Sequence, residues 1–416
     1  MVTEKIKVSK GKLVGTVKVS GAKNSALRLL AASILTDELV ELNNFPNGLL
    51  DVQIHLDMLK VLGKDFKPDG DIVKISETTS NITTLNWDER SIRNTLLILG
   101  ALTTRFGQGK VPLPGGCKLG ERKYDLHVML LERLGAKVWE EENYLCAKVE
   151  GRLTGNDIYL PMRSTGATEN SIICASLAEG TTTVWNPHIR PEIMDLIDML
   201  TKMGGKIKVY GQKCIVINGV DRLSTVKHSV IPDNMEALTW AIGSVITNGD
   251  VEIQNFPFEH LEVPLIYLRE SGMKYYRGES SLIVKGGTPY PIEISTGPYP
   301  GINSDMQPLF AVYGAMSKGT SKIVDLRFPG RYGYAEELAK MGIEYQVQGD
   351  MLIVNGGSQL LGSTVTALDL RAGIALLLAG LTAEGNTTIE NSWQIARGYE
   401  YLIEKLKTLS INVIKI

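Results

Sequence analysis

The 416-residue chain is 44% hydrophobic and 22% charged, long enough for two or three domains with sizeable cores. A formal net charge of −2 and a pI near 6.3 supply no basic field, which argues against nucleic acid or an anionic membrane surface as a partner. No apolar stretch approaches the roughly 18 residues of a membrane span, and the opening MVTEKIKVSKGKL lacks the apolar core and cleavage site of a secretory signal, so the cytoplasm is the expected location.

In chain order, KLVGTVKVS reads as a leading strand, and ALRLLAASIL as an apolar helix. The same text then returns as NTLLILGALTTRFG, NSIICASLAEG, EALTWAIGSVITNG, MQPLFAVYGAMSKG and AGIALLLAGLTAEG. The starts near Ala26, Asn94, Asn170, Glu236, Met306 and Ala372 mark a repeat of roughly 70 residues, longer than a solenoid period and long enough for a small layered module. Among these, HVMLLERLGAKV, MDLIDMLTKMGGKI and YGYAEELAKMG have helical apolar spacing with a glycine stop. TTTVWNPH, DVEIQNFP and TTIENSW are β-branched runs bounded by turn residues. The chain therefore reads as α/β, with six units in two groups of three. The groups form two similar domains, residues 22–229 and a discontinuous second domain of residues 1–21 with 230–416, crossing near Gly21 and Ser229.

The loops before the six apolar helices carry charge where a helix N-terminus already offers unpaired N–H groups: SGAKNSALRL, ERSIRNTLL, RSTGATENS, PDNMEALTW, NSDMQPLF and LDLRAGIAL. If these loops converge, Lys23, Arg93, Arg163, Asp305, Asp369 and Arg371 face one another, and each helix dipole adds ~0.3–1 kcal/mol for an anion. GAKNS lacks the glycine spacing of a P-loop, and no GxGxxG follows a strand, so neither a nucleotide triphosphatase nor a dinucleotide cofactor is supported. The cysteines show no CxxC spacing and no nearby histidine, against zinc and against a disulfide scaffold. Cys146, Cys174 and Cys214 sit in apolar or strand-like text and read as core. Cys117 lies in LPGGCKLGERKYDLH beside Lys118, Arg122 and Lys123, whose charges favour a thiolate, but the local text alone fits an inert loop thiol equally well.

SGAKNSALRLLAASIL, RFGQGKVPLPGGCKLGERKYDLH, STGAT, DMQPLF, DLRAGIALLLAG and ARGYEYLIEKL together closely resemble the UDP-N-acetylglucosamine enolpyruvyl transferases (1-carboxyvinyltransferases), the first committed step toward peptidoglycan. The resemblance runs from Gly11 to the C-terminal helix. It implies two inside-out α/β barrels of three repeats each, with the active site in the cleft between them and no cofactor or metal. It implies phosphoenolpyruvate and a uridine nucleotide as substrates. By the same resemblance, Lys23, Arg122 and Arg397 surround the phosphate of phosphoenolpyruvate, Arg331 and Arg371 its carboxylate, and Arg93 is a further active-site arginine. Asn24 and Asp305 hold the acceptor, with Asp305 as base for the attacking hydroxyl and Asp369 supporting the catalytic cations. Cys117 matches the loop cysteine that acts as general acid and is the target of fosfomycin-type epoxides. Asp125 and Leu126 face the uracil end, and Arg163, Ser164 and Gly166 are further acceptor-side positions.

The chemistry explains these residue types. Phosphoenolpyruvate brings a phosphate and a carboxylate, and arginine's planar fork suits both. Addition and elimination require an acid for the methylene carbon and a base for the acceptor hydroxyl, each typically contributing ~10²–10⁴-fold. A closing lid that carries Cys117 excludes water and assembles the cations.

Departures from the family gather on the acceptor side. Met162 stands where the family has a cation flanking the pyrophosphate, Lys123 where it has a small residue, and Arg327 where it has an aliphatic one. Asn234 and Ala396 replace an arginine and an aspartate. Three other readings stand beside the cell-wall acceptor. One is another uridine nucleotide such as UMP in nucleoside-antibiotic synthesis. The second is the sister reaction on shikimate 3-phosphate, which the Gly-Gly-Cys loop disfavours. The third is a catalytically silent nucleotide-binding protein, disfavoured by the joint presence of Lys23, Cys117, Asp305 and Arg397.

Overall fold

The computed structural model describes residues 4–90, 92–114 and 124–416. Helices and sheets alternate along these residues, an α/β chain. Their contacts divide into two compact units, Gly21–Ile231, and Met1–Ser20 with Pro232–Ile416, and each unit has its own apolar core. The second unit is discontinuous because strand pairing draws the chain's start into it. Ile6–Ser9 lies antiparallel between Asn386–Glu390 and Val413–Lys415, and Val14–Lys18 runs parallel to Asp250–Gln254. In the Gly21–Ile231 unit, Val226–Ser229 closes on Val40–Asn43 in parallel, with His228 opposite Leu42.

One strand arrangement recurs among the described sheets. A short strand lies parallel to a longer one, whose other edge pairs antiparallel with the second arm of a hairpin. Asp157–Tyr159, Thr181–Trp185, Cys214–Asn218 and Lys206–Tyr210 show it in that order, with Val184 opposite both Ile158 and Ile215. Glu293–Ser295, Thr320–Val324, Met351–Asn355 and Glu344–Gln348 repeat it. Alternating burial along these strands turns one face to the helices and the other to solvent.

Two kinds of helix fill the units. Lys23–Ala32, Thr95–Phe106, Thr165–Ser176, Asn234–Ile246, Gln307–Ala315 and Leu370–Gly380 are the apolar text of the sequence, and Asn234–Ile246 is buried at every residue, as a helix apolar all round must be. Helices such as Pro191–Lys202 and Asp125–Arg133 bury one face only. Close helix approach is visible at Gly100, where a Cβ would lie 1.9 Å from Asn170 Oδ1. Among the described residues no helix is long and apolar enough to cross a membrane.

In the Gly21–Ile231 unit the one-sided helices are tied to the central ones by a ring of buried polar contacts. Asn94 donates from Nδ2 to His55 Nδ1 at 3.0 Å, Asn170 donates to His127 Nδ1 at 3.1 Å, and Ser25 donates to Asp195. Each contact joins the outer helix of one stretch to the central helix of the next, and the last returns to the first. A buried polar pair with its partner in place specifies register more sharply than apolar contact alone.

Candidate active site

In the Gly21–Ile231 unit, Lys23 opens its helix and is almost fully buried. Its Nζ lies 2.6 Å from Oδ2 of Asp51, with side-chain exposures of 8% and 4%. Asp51 stands in the first turn of the helix Leu50–Val61, where a carboxylate also complements the helix dipole. Asn24, beside Lys23, is half-buried. Arg93 precedes the helix Thr95–Phe106, and its charge reaches His127: burial first, then Arg93, push the imidazole down to about 3. The neutral ring accepts from Asn170 at Nδ1.

His127 ties two predicted acceptor-side positions together. It belongs to the helix opened by Asp125 and Leu126, and a Cβ on Gly166 would sit 3.2 Å from its Nε2. Glycine is therefore the residue that lets the turn before Ala167 lie against the ring. Ser164 caps the helix Thr165–Ser176 by accepting from Ala167 N at 3.3 Å, and Arg163 beside it is half-buried. Asp125 and Leu126, with Met129, Arg133, Tyr159 and Pro161, line a cavity of about 360 Å³. Cys117, Arg122 and Lys123 lie outside the described residues.

On Lys23's own helix, Arg28 Nε pairs with Glu169 Oε1 at 2.7 Å, and Arg190 grips Glu192 through Nε and Nη2 at 2.7 and 2.9 Å. Burial raises the Glu169 carboxyl against the pull of Arg28. Burial also opposes the charge on Glu192, but Arg190, a backbone N–H and Arg28 together outweigh it and hold that carboxyl low.

In the other unit four predicted residues meet. Asp305 Oδ1 accepts from Arg331 Nη1 at 2.9 Å, and Asp305 Oδ2 from Arg371 Nε at 3.4 Å. Asp369 divides its oxygens: Oδ1 caps the helix Leu370–Gly380 through the N–H groups of Arg371 and Ala372, both at 2.8 Å, while Oδ2 accepts from Arg331 Nη2 at 3.4 Å. Burial works most strongly against both guanidinium charges, but Asp305 and Asp369 together at Arg331, and Asp305, Tyr399 and Asp233 together at Arg371, outweigh it, so both are held above the ordinary arginine value. Arg371 is 3% exposed, and its Nη1 is buried without a hydrogen-bond partner among the described residues. A Cβ on Gly398 would lie 2.7 Å from Leu370 Cδ1, so glycine lets the Arg397-Gly398 step lie against the start of the helix Leu370–Gly380. Arg397 is half-buried and donates from Nη1 to Gln394 Oε1 at 3.0 Å. Arg327 is exposed, 5.6 Å above the Phe328 ring, with Arg331 5.8 Å from the same ring.

A carboxylate between two buried guanidiniums, one with a nitrogen that has no hydrogen-bond partner among the described residues, is a site for a small anion with a base beside it. A family model described as EPSP synthase (3-phosphoshikimate 1-carboxyvinyltransferase) matches residues 8–406 of the chain. The chain belongs to the carboxyvinyl transferase family. Within that family it is 39% identical over 405 residues to the UDP-N-acetylglucosamine 1-carboxyvinyltransferase of Actinobacillus succinogenes, covering 96% of both. It is 38% identical over 406 residues to that of Aeromonas hydrophila, covering 97% of both. The enolpyruvyl transferase NikO of Streptomyces tendae has the same fold, with a TM-score of 0.88 at 24% identity over 99% of both chains. EPSP synthase of Acinetobacter baumannii matches with a TM-score of 0.75 at 18% identity over the whole of both.

Sequence reasoning missed Asp51, Asp325 and the Arg28–Glu169 pair. Asp51 had a signal, an acidic first turn in LLDVQIHLDML, but nothing local to connect it with Lys23.

Proposed function

We propose that this carboxyvinyl transferase moves the enolpyruvyl group of phosphoenolpyruvate to a hydroxyl of UDP-N-acetylglucosamine and releases phosphate. The observation that carries the chemistry is Asp305 held between Arg331 and Arg371, with Arg371 Nη1 buried and without a hydrogen-bond partner among the described residues. The acceptor follows the full-length relatives at 38–39% identity that bear its name.

In this reading the substrate carboxylate takes the arginine hydrogen bonds now made to Asp305, through Arg331 and Arg371. Lys23, Arg122 and Arg397 meet the phosphate, and Arg93 is a further arginine for phosphoenolpyruvate. Freed from its arginines, Asp305 takes the proton of the acceptor hydroxyl as that oxygen bonds to the central carbon of phosphoenolpyruvate, and Cys117 protonates the methylene carbon. Phosphate then leaves as the Cys117 thiolate takes a proton back from the new methyl group, which restores the double bond. Asp369 keeps Arg331 in place during both steps. Asn24, Lys123, Asp125, Leu126, Arg163, Ser164, Gly166 and Arg327 serve the nucleotide. Each unit is an inside-out α/β barrel of three repeats, a reading supported by the recurring sheet arrangement. The cytoplasm is its place of action.

A second reading, transfer to UMP or another uridine nucleotide, is favoured by Arg327, an exposed guanidinium on the loop that carries Arg331, which suits a phosphate better than a neutral sugar. The test is to incubate the protein with phosphoenolpyruvate and UDP-N-acetylglucosamine, UMP or shikimate 3-phosphate, and to follow phosphate release and product mass. Turnover with the nucleotide sugar supports the first reading and turnover with UMP alone the second. Phosphate release with none of them would remove the function altogether.

A further inference from the structure

Asp325 is fully buried and takes no place in the chemistry described so far. A carboxylate away from water is retained only where donors replace its hydration. Its two oxygens meet different parts of the fold. Oδ1 accepts from Thr296 Oγ1 at 2.8 Å and from the backbone N–H groups of Arg327 and Phe328 at 2.9 and 3.0 Å, which shapes the turn leaving the strand Thr320–Val324. Oδ2 accepts from Ser304 Oγ and from Gln307 Nε2, the latter at 3.1 Å, at the N-terminal end of the helix Gln307–Ala315.

We infer that Asp325 is the positioning residue that sets Arg331 for phosphoenolpyruvate, an inference that rests on the proposed role of Arg331. The coupling runs by two routes. Ser304 gives its only hydroxyl proton to Asp325, so the lone pairs of Oγ are what it can present to Arg331 Nη1, 3.2 Å away. Gln307 uses its Nε2 group twice, toward Asp325 Oδ2 and toward the backbone carbonyl of Arg331 at 2.9 Å. One buried carboxylate thus orients both the guanidinium and the main chain of Arg331. Because Ser304 adjoins Asp305, the same anchor holds the base opposite the cation.

Asp325→Asn keeps an acceptor for the turn N–H groups but turns an amide NH₂ toward Ser304 and Gln307. The amide then faces Gln307 Nε2 donor against donor, so the group that holds the main chain of Arg331 loses its anchor, while Ser304 must accept from the amide and its proton turns away from residue 325. The experiment measures KM for phosphoenolpyruvate and for UDP-N-acetylglucosamine separately in Asp325→Asn, Ser304→Ala, the double variant and Arg331→Ala. Asp325→Asn is expected to raise KM for phosphoenolpyruvate about tenfold or more, with the acceptor KM within about twofold. Ser304→Ala leaves Asp325 and its turn bonds intact, so it serves if Asp325→Asn does not fold, and it should shift KM for phosphoenolpyruvate in the same direction. The double variant should be no worse than Asp325→Asn, since both act on one chain of contacts. An unchanged KM for phosphoenolpyruvate in the folded variants, or an equal rise in both constants, overturns the inference. If Arg331→Ala itself leaves KM for phosphoenolpyruvate unchanged, the reading of Arg331 has failed and the inference falls with it.

Discussion

Oδ1 of Asp305 accepts a hydrogen bond from Nη1 of Arg331 at 2.9 Å, so a proposed base and a proposed substrate cation occupy each other. Arg371 Nε approaches the other oxygen at 3.4 Å. An anion that binds these arginines must displace an internal carboxylate, and its arrival releases that carboxylate to take a proton.

Asp305→Asn separates these effects. Loss of the base is expected to lower kcat by ~10²-fold or more. Loss of the competing charge leaves Arg331 and Arg371 open to the substrate, so KM for phosphoenolpyruvate should stay level or fall. Steady-state kinetics with each substrate varied in turn measures both. A KM that rises with an unchanged kcat would mean that Asp305 binds substrate without accepting its proton.

The Lys23–Asp51 pair predicts a stability effect. Asp51→Asn removes the carboxylate 2.6 Å from a nearly buried ammonium, and breaking such a pair costs on the order of 3 kcal/mol. Denaturant titration of wild type and variant gives the difference, and Asp51→Glu should recover part of it. Equal midpoints for wild type and Asp51→Asn would show that the pair adds nothing to stability.

His55 and His127 predict the pH dependence. Burial first, then Arg28 for His55 and Arg93 for His127, push both rings down to about 3 from 6.5. The folded-state value lies below the unfolded one, so on acidification the unfolded chain takes up these protons first. Stability is complete above about pH 6.5 and falls toward about pH 3, by up to ~1.4 kcal/mol per pH unit for each ring. Denaturation midpoints from about pH 7 down to about pH 5 test this, and His55→Gln or His127→Gln should each flatten the slope by about one proton. A slope that neither substitution changes would contradict it.

Thiol labelling should single out Cys117. Cys146, Cys174 and Cys214 are buried, and burial pushes the Cys174 thiol up to about 12 and raises Cys146. A fosfomycin-type epoxide is expected to modify one thiol in the native protein and none in Cys117→Ser, read by intact mass and peptide mapping. Adducts at Cys146 or Cys174 would place the reactive thiol elsewhere.

Periodicity made most helices and strands legible. The apolar run NTLLILGALTTRFG is the helix Thr95–Phe106, ended by Gly107 in the left-handed region at φ 73°, and TTTVWNPH contains the strand Thr181–Trp185. Charged loops before the central helices were equally visible, because Ser164 and Asp369 cap helices from within those loops. Counter-charges were not legible. Lys23 reads in the sequence as an open cation and is paired with a carboxylate from the next helix. Asp325, just past the strand Thr320–Val324, carries no local signal and is a buried hub. Both partnerships join residues far apart in sequence, and no local pattern encodes which distant side chain a fold brings into contact.

The divided carboxylate of Asp369 carries a constraint on how the protein can change. One oxygen holds the first turn of a buried helix and the other steadies Arg331, so helix capping and the setting of a proposed substrate cation meet in one side chain. Asn keeps an acceptor for the turn but loses the charge, and Glu keeps the charge but moves it off the turn. Selection for a hotter or a faster enzyme therefore acts through the same single residue.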